Sequence, residues 1–299
     1  MTITRTALAA SFAATVLGAA LPALAANPDC PNGGTVRFGI EPYEAGATLI
    51  PIFDKVGQLI AKDLDCDVQI FVTTSYNAEI EAMRSDKLEF GEFGPLGYVL
   101  AHQVAKAEAV ATFTDPSGAP DTYTASIVTW PGSGITSLKD VADHSFAYSD
   151  PASTSGHLFP AFGLRKVGID PDNGVKAVYA GSHTASFEAI RNHKVDAGEL
   201  NSEEIRAAQQ QNNYDAKDFV TLWQSDPIPV DPIAVRADLD PAFKARLTKV
   251  LQNLDLSSIA SDDRKHLMGT GQRTVATSDE TFNQIRDLVD TLHVDLAKM

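Results

Sequence analysis

Ser153, Thr154, Ser155 and Gly156 stand in a row just before an apolar run, in the stretch Asp150-Pro-Ala-Ser-Thr-Ser-Gly156. Hydroxyls and a glycine at a helix entrance suit one kind of chemistry. The first backbone N–H groups of a helix lack partners within it and carry partial positive charge. Neutral donors gathered there, with no side chain at Gly156 to hold a guest away, form a cradle for a small oxyanion. One hydroxyl is enough to cap a helix. Three adjacent ones go beyond that need, although ordinary capping stays open as the alternative.

The pattern recurs. Val72-Thr-Thr-Ser-Tyr-Asn77 leads from an extended run into a helical one, and Phe93-Gly-Pro-Leu-Gly-Tyr98 does so with proline near the helix start, where its missing N–H costs little. Such turns converge at the carboxyl edges of strands in open α/β folds, the usual place for a ligand. Gly181-Ser-His183 sets a histidine at another helix entrance. Asn201-Ser-Glu-Glu204 reads as a capping box of Asn201 with Glu204, which leaves Glu203 free for another role. Asp231 lies between prolines in Ile228-Pro-Val-Asp-Pro232, either as a turn aspartate or as a ligand to something positive.

Catalytic signatures are missing. There is no Gly-x-Ser-x-Gly elbow, no Gly-x-x-x-x-Gly-Lys-Ser/Thr loop, no His-Glu-x-x-His and no Cys-x-x-Cys. The 7 histidines share no helix face at i, i+4 spacing, so neither a metal nor another cofactor is expected.

Residues 1–25 read as a leader. Arg5 precedes an apolar, alanine-rich run from Ala7 to Leu24, and Ala23-Leu-Ala25 has the form of a signal-peptidase site. Its removal takes one positive charge and no acid, so the formal charge goes from −15 to −16. An acidic exported chain repels nucleic acid and anionic membrane surfaces alike. Cys30 and Cys66, the 2 cysteines, border likely partner strands, and an oxidising compartment favours a bridge between them over two separate thiols.

The elements that position these residues follow from periodicity. Strands are expected at Thr35–Ile40, Val68–Val72, Leu88–Glu92, Thr124–Thr129, Ser145–Ser149, Val175–Tyr179, Val195–Leu200 and Ile233–Arg236. Helices are expected at Ile50–Leu64, Tyr76–Ser85, Leu96–Lys106, Leu158–Val167, Ala185–Asn192, Ser202–Gln211, Pro241–Leu251 and Asp279–Lys298. Alternation of the two implies an α/β protein with mostly parallel sheets. A chain this long exceeds the usual single domain, and the boundary between two α/β lobes is crossed near Thr122 and again near Pro229.

Taken together, Thr73-Thr-Ser-Tyr-Asn-Ala-Glu-Ile-Glu-Ala-Met-Arg84, Phe93-Gly-Pro-Leu-Gly-Tyr-Val-Leu-Ala101, Asp150–Gly156, Gly181-Ser-His183 and Ile228–Pro232 resemble the phosphate-, phosphite- and phosphonate-binding proteins of bacterial ABC importers, from about Gly34 to the C-terminus. The resemblance implies a two-lobed periplasmic solute-binding fold of type II with a hinged ligand cleft: lobe 1 from residues 26–122 plus 230–299, lobe 2 from residues 123–229. It implies that Tyr76, Ser153, Thr154, Ser155 and His183 hold the phosphonyl oxygens. Tyr123 is a looser match. Glu203 and Asp231 fall where members that take 2-aminoethylphosphonate grip the ammonium. Gly97 departs from the more usual serine, which removes one hydroxyl near the site. The implied partners are a small phosphonate-type anion and an ABC permease in the inner membrane, with no enzymatic activity. Phosphite or phosphate, an exported enzyme and a sensor lobe are the alternatives.

Overall fold

A computed structural model describes residue 27 and residues 29–294. The leader and cleavage position expected at residues 1–25 lie outside them. The first body is built from β1 (Thr35–Ile40), α1 (Gly46–Leu64), β2 (Asp67–Val72), α2 (Tyr76–Arg84), β3 (Phe90–Glu92), α3 (Pro95–Ala105) and β4 (Ala107–Phe113). The chain then leaves through β5 (Thr122–Tyr123). A second body follows, comprising β6 (Ala125–Thr129), β7 (Ser145–Tyr148), α4 (Phe159–Lys166), β8 (Lys176–Tyr179), α5 (His183–Arg191), β9 (Ala197–Asn201), α6 (Ser202–Gln210) and β10 (Val220–Gln224). Through β11 (Ile228–Pro229) the chain returns to add β12 (Pro232–Arg236), α7 (Pro241–Leu251), α8 (Ser261–Arg264), β13 (Thr274–Ala276) and α9 (Asn283–Leu292) to the first body.

Two sheets result, in the orders β13-β4-β12-β3-β1-β2 and β10-β6-β9-β7-β8, and a two-stranded ribbon of β5 and β11 joins them. In the ribbon Tyr123 faces Ile228 and Thr122 faces Pro229.

The α/β expectation holds, but the sheets are mixed rather than mostly parallel. β1 runs parallel to β2 and β3, and β7 to β8 and β9. By contrast β12 is antiparallel to β3 and β4, and β6 to β9 and β10. The reason lies in the crossings. β6 and β12 enter their sheets straight from the ribbon, at the edge where the parallel strands end, and so run the other way. β4, β10 and β13 had no clear signal; β4 is Ala-Glu-Ala-Val-Ala-Thr-Phe, with no clean period, and β10 is a partly exposed edge strand.

Packing follows the periods. α1 buries Leu49, Ile52, Phe53, Val56, Ile60 and Leu64, one helical stripe, and starts a turn earlier than expected, with Pro51 inside it. β7 sends Phe146 and Tyr148 to a core with Leu164, and Ala147 to the opposite core with Phe187 and Ile190, the two-residue period of a strand covered on both faces. Cys30 and Cys66 form a disulfide just ahead of β1 and β2, whose register pairs Thr35 with Asp67.

Candidate ligand-binding site

The strand-to-helix turns meet. Tyr76, Gly94, Tyr123, Ser153, Thr154, Ser155, His183 and Asp231 line one tight cavity between the two sheets, with about 10 Å³ of room, close to that of a single water. Every predicted residue of the phosphonyl cradle is present there and buried.

The cradle begins at Ser153, which caps a single π-turn, Thr154–Leu158, leading into α4. The capping bond, from Gly156 N–H to Ser153 Oγ, measures 3.0 Å. Leu96 N–H donates to Thr154 Oγ1 at 2.8 Å, and Asn201 Nδ2 donates to Ser155 Oγ at 3.2 Å. Each hydroxyl thus has a lone pair occupied by a protein N–H, and its own proton remains to be donated. A Cβ at Gly156 would fall on the Ser149 hydroxyl, so the turn needs glycine for space. Burial pushes the Tyr76 and Tyr123 phenols well above their ordinary pKa, which keeps both as neutral donors.

His183 is the basic side chain that lines the cavity. Its Nε2 lies 3.3 Å from Ser153 Oγ and 3.4 Å from Ser155 Oγ, while Nδ1 lies 3.0 Å from both carboxylate oxygens of Glu199. Burial is the largest single influence and by itself would lower the imidazole pKa; the charge and hydrogen bond of Glu199, joined by the charges of Glu204 and Asp150, together outweigh it and hold the group above its usual value. Glu199 was not singled out from the sequence. It sits on β9 as the one acid of a fully buried strand, Ala-Gly-Glu-Leu-Asn, and that lone acid was the available signal.

The acids divide into two groups. Asn201 accepts from Glu204 N–H at 2.7 Å, but the Glu204 carboxylate accepts from Thr184 Oγ1 at 3.1 Å, so only half of the capping box forms. Glu203 and Glu204 open on an adjoining compartment that shares only Tyr43, His183 and Met268 with the cradle. Arg206 covers Glu203, donating to Oε1 at 3.1 Å and lying 2.9 Å from Oε2 at an angle too poor for a second bond. Burial pushes Glu203 up to about 7 against the pull of Arg206, and burial pushes Glu204 to about 7 as well.

Asp231 is different. Its Oδ1 is buried without a partner, and the carboxyl is raised well above its usual pKa by burial and then by Glu92 and Glu203. Glu41, which follows β1 and had no reading from the sequence, lines the same cavity; its Oε2 accepts from Gly94 N–H at 2.7 Å and its Oε1 is unpartnered. The position just beyond the carboxyl end of a strand was the signal that could have found it.

Behind the site, Glu79 and Glu92 are buried with all four oxygens unpartnered, Glu79 resting over Gly39 and Gly91 of neighbouring strands. Burial raises Glu92 to about 8 and Glu79 well above the usual range. A carboxyl whose folded pKa is raised binds more protons folded than unfolded, so it lowers stability as pH rises above the unfolded value of about 4.4. Two outcomes follow. Thermal melts without ligand should give a lower Tm at pH 8 than at pH 5.5. Glu79→Met should raise the Tm at pH 8 by a few degrees, with a smaller gain at pH 5.5, because an apolar group of similar size removes a buried charge. A Tm that climbs from pH 5.5 to pH 8 would refute the account.

The cleft is closed by direct bonds across it. His183 N–H donates to Tyr43 O at 3.1 Å, Arg206 Nη2 to Leu267 O at 2.7 Å and Gln210 Nε2 to Asp262 O at 3.1 Å. No cluster of metal-ligating side chains occurs among the described residues.

Known proteins share both the fold and the sequence pattern. A family model described as the periplasmic substrate-binding protein of a phosphonate ABC transporter matches residues 38–281. A phosphate-import protein of Mycolicibacterium smegmatis is 25% identical over 239 residues, covering 76% of this chain and 74% of its own length. The phosphonates-binding periplasmic protein of Escherichia coli is 28% identical over 223 residues, covering 73% of this chain and 65% of its own. The crystal structure of a binding-protein component of an ABC phosphonate transporter from Pseudomonas aeruginosa superposes with a TM-score of 0.75 at 26% identity, covering 87% of this chain and 86% of the other. The fold is that of the type II periplasmic binding proteins, to which this structural neighbour belongs.

Proposed function

This chain belongs to the periplasmic substrate-binding proteins of phosphonate ABC transporters, and from that premise we propose that it captures a phosphonate bearing an ammonium group, with 2-aminoethylphosphonate as the best fit, and delivers it to an inner-membrane permease. Members of the family are solute-binding components, not enzymes. The protein acts in the periplasm after removal of residues 1–25 near Ala25. Its lobes are residues 26–122 with 230–299 and residues 123–229, hinged at the crossing where β5 pairs with β11.

One observation carries the reading: the hydroxyls of Ser153, Thr154 and Ser155 already accept from protein N–H groups, so their own protons remain available to a ligand oxygen. With Tyr76, Tyr123 and the imidazolium of His183 they offer donors only, the counterpart of a phosphonyl group with three acceptor oxygens. Helix ends and neutral donors can hold such an anion within an acidic protein. The unpartnered acid in the same cavity, Asp231, favours a ligand that also carries a cation and works against bare phosphate.

Calorimetric titration of the mature chain with 2-aminoethylphosphonate, methylphosphonate, phosphite and phosphate tests this. The aminated ligand is expected to bind at least about 100-fold more tightly than phosphate, the worth of about two charge-assisted hydrogen bonds from the ammonium. Tightest binding of phosphate or phosphite would leave the oxyanion cradle standing and remove the aminated substrate.

A further inference from the structure

Glu41 presents a fully buried carboxyl in the wall of the cradle, 1% exposed, with Oε2 on Gly94 N–H and Oε1 on nothing. Its charged neighbours are Glu79, Asp231 and Asp150, all of like sign. Among the described residues no lysine or arginine lines the cavity, and His183 has Nδ1 on Glu199 and Nε2 beside Ser153 and Ser155. A carboxyl pair of this kind is costly to bury unless something positive comes to it. Glu203 Oε2 also lacks a hydrogen bond, but Arg206 lies 2.9 Å from it and supplies the opposite charge.

The space that admits Glu41 is also specific. A Cβ at Gly97, in the first turn of α3, would fall far inside van der Waals contact with Glu41 Oε1. Any side chain at Gly97, including the serine that the resemblance leads one to expect, would push the Glu41 carboxyl aside. The missing hydroxyl and the extra acid are therefore two sides of one arrangement.

We propose that Glu41, acting with Asp231, is the residue that reads the ligand's ammonium group, that Gly97 makes room for it, and that Glu203 is a structural acid neutralised by Arg206. This rests on the reading of an aminated phosphonate as ligand. The two unpartnered oxygens, Glu41 Oε1 and Asp231 Oδ1, accept two of the three ammonium protons while the hydroxyl turn and His183 hold the phosphonyl oxygens.

The test compares 2-aminoethylphosphonate with ethylphosphonate, which has the same skeleton without the amine, on wild type, Glu41→Gln, Gly97→Ala and Glu203→Gln. The quantity read is the ratio of the two affinities. In Glu41→Gln the ratio should fall roughly 10- to 100-fold, the worth of one charge-assisted hydrogen bond, with ethylphosphonate binding kept or improved. Gly97→Ala should reduce the ratio in the same direction. It displaces the carboxyl without deleting it, and alanine is a better helix former than glycine, so a folding defect in Glu41→Gln would not leave the question open. Glu203→Gln should hold the ratio within about threefold, since the charge it removes is already paired. A ratio that survives both Glu41→Gln and Gly97→Ala, or one that collapses only in Glu203→Gln, overturns the assignment. A wild-type ratio near one overturns the aminated-ligand reading itself and the role of Glu41 with it, and that failure shows in the wild-type arm alone.

Discussion

Replacing His183 by alanine is expected to weaken phosphonate binding by about 100-fold or more and to cost about 3–5 kcal/mol of stability. The two effects have separate causes. Binding suffers because, in the proposed function, the imidazolium is the cation that meets the phosphonate, and its Nε2 stands beside the hydroxyls of Ser153 and Ser155. Stability suffers because Glu199, 1% exposed on a central strand, loses its ionic partner and becomes an uncompensated buried charge. Calorimetry and thermal melts read the two apart.

Glu199→Gln refines the argument, since glutamine still offers Nδ1–H an acceptor but no longer holds the proton in place. The pKa of His183 is raised in the folded protein, so its stabilising charge is fully present below the unfolded value of about 6.5 and is lost as pH rises through the folded value. Phosphonate affinity should fall with rising pH over the same window, and in Glu199→Gln the fall should begin at lower pH. A wild-type affinity independent of pH between 6 and 9, or a His183→Ala variant that binds normally, would show that the hydroxyls suffice without the imidazolium.

The second large effect is expected from the disulfide. Cys30 and Cys66 are separated by 36 residues, and opening a loop of that size gives the unfolded chain entropy worth about 4 kcal/mol. The double variant Cys30→Ser, Cys66→Ser should melt about 10 °C lower. Ligand affinity should hardly move. The bridge lies at the entry ends of β1 and β2, whereas the site lies beyond their exits at Glu41 and Tyr76, about 20 Å away along six-residue strands. A change in affinity of more than a few-fold would mean that the bridge sets the position of the cleft wall as well as the stability of the lobe.

Much of this protein is written locally. The apolar stripe of α1, the two-residue alternation of β7 and the hydroxyl turn at Ser153 depend on neighbours along the chain, where the physics of caps and periods acts, and these elements formed close to where the sequence placed them, α1 gaining one turn at its start. The turns that meet in the cavity were legible for the same reason, since Ser75, Ser153 and Ser182 each cap the helical segment that follows. The roles of the acids were not. Whether Glu203 is free or paired depends on Arg206 one turn along the helix and on which compartment α6 faces; whether Glu41 matters depends on Gly97 in another segment being too small to exclude it. Strand direction in β6 and β12 likewise depends on where the crossing ribbon enters each sheet. A carboxyl carries the same symbol in the sequence whether it meets water, a guanidinium or nothing. Only the assembled structure decides which of these surrounds it, because burial and pairing are set by residues brought together from distant parts of the chain.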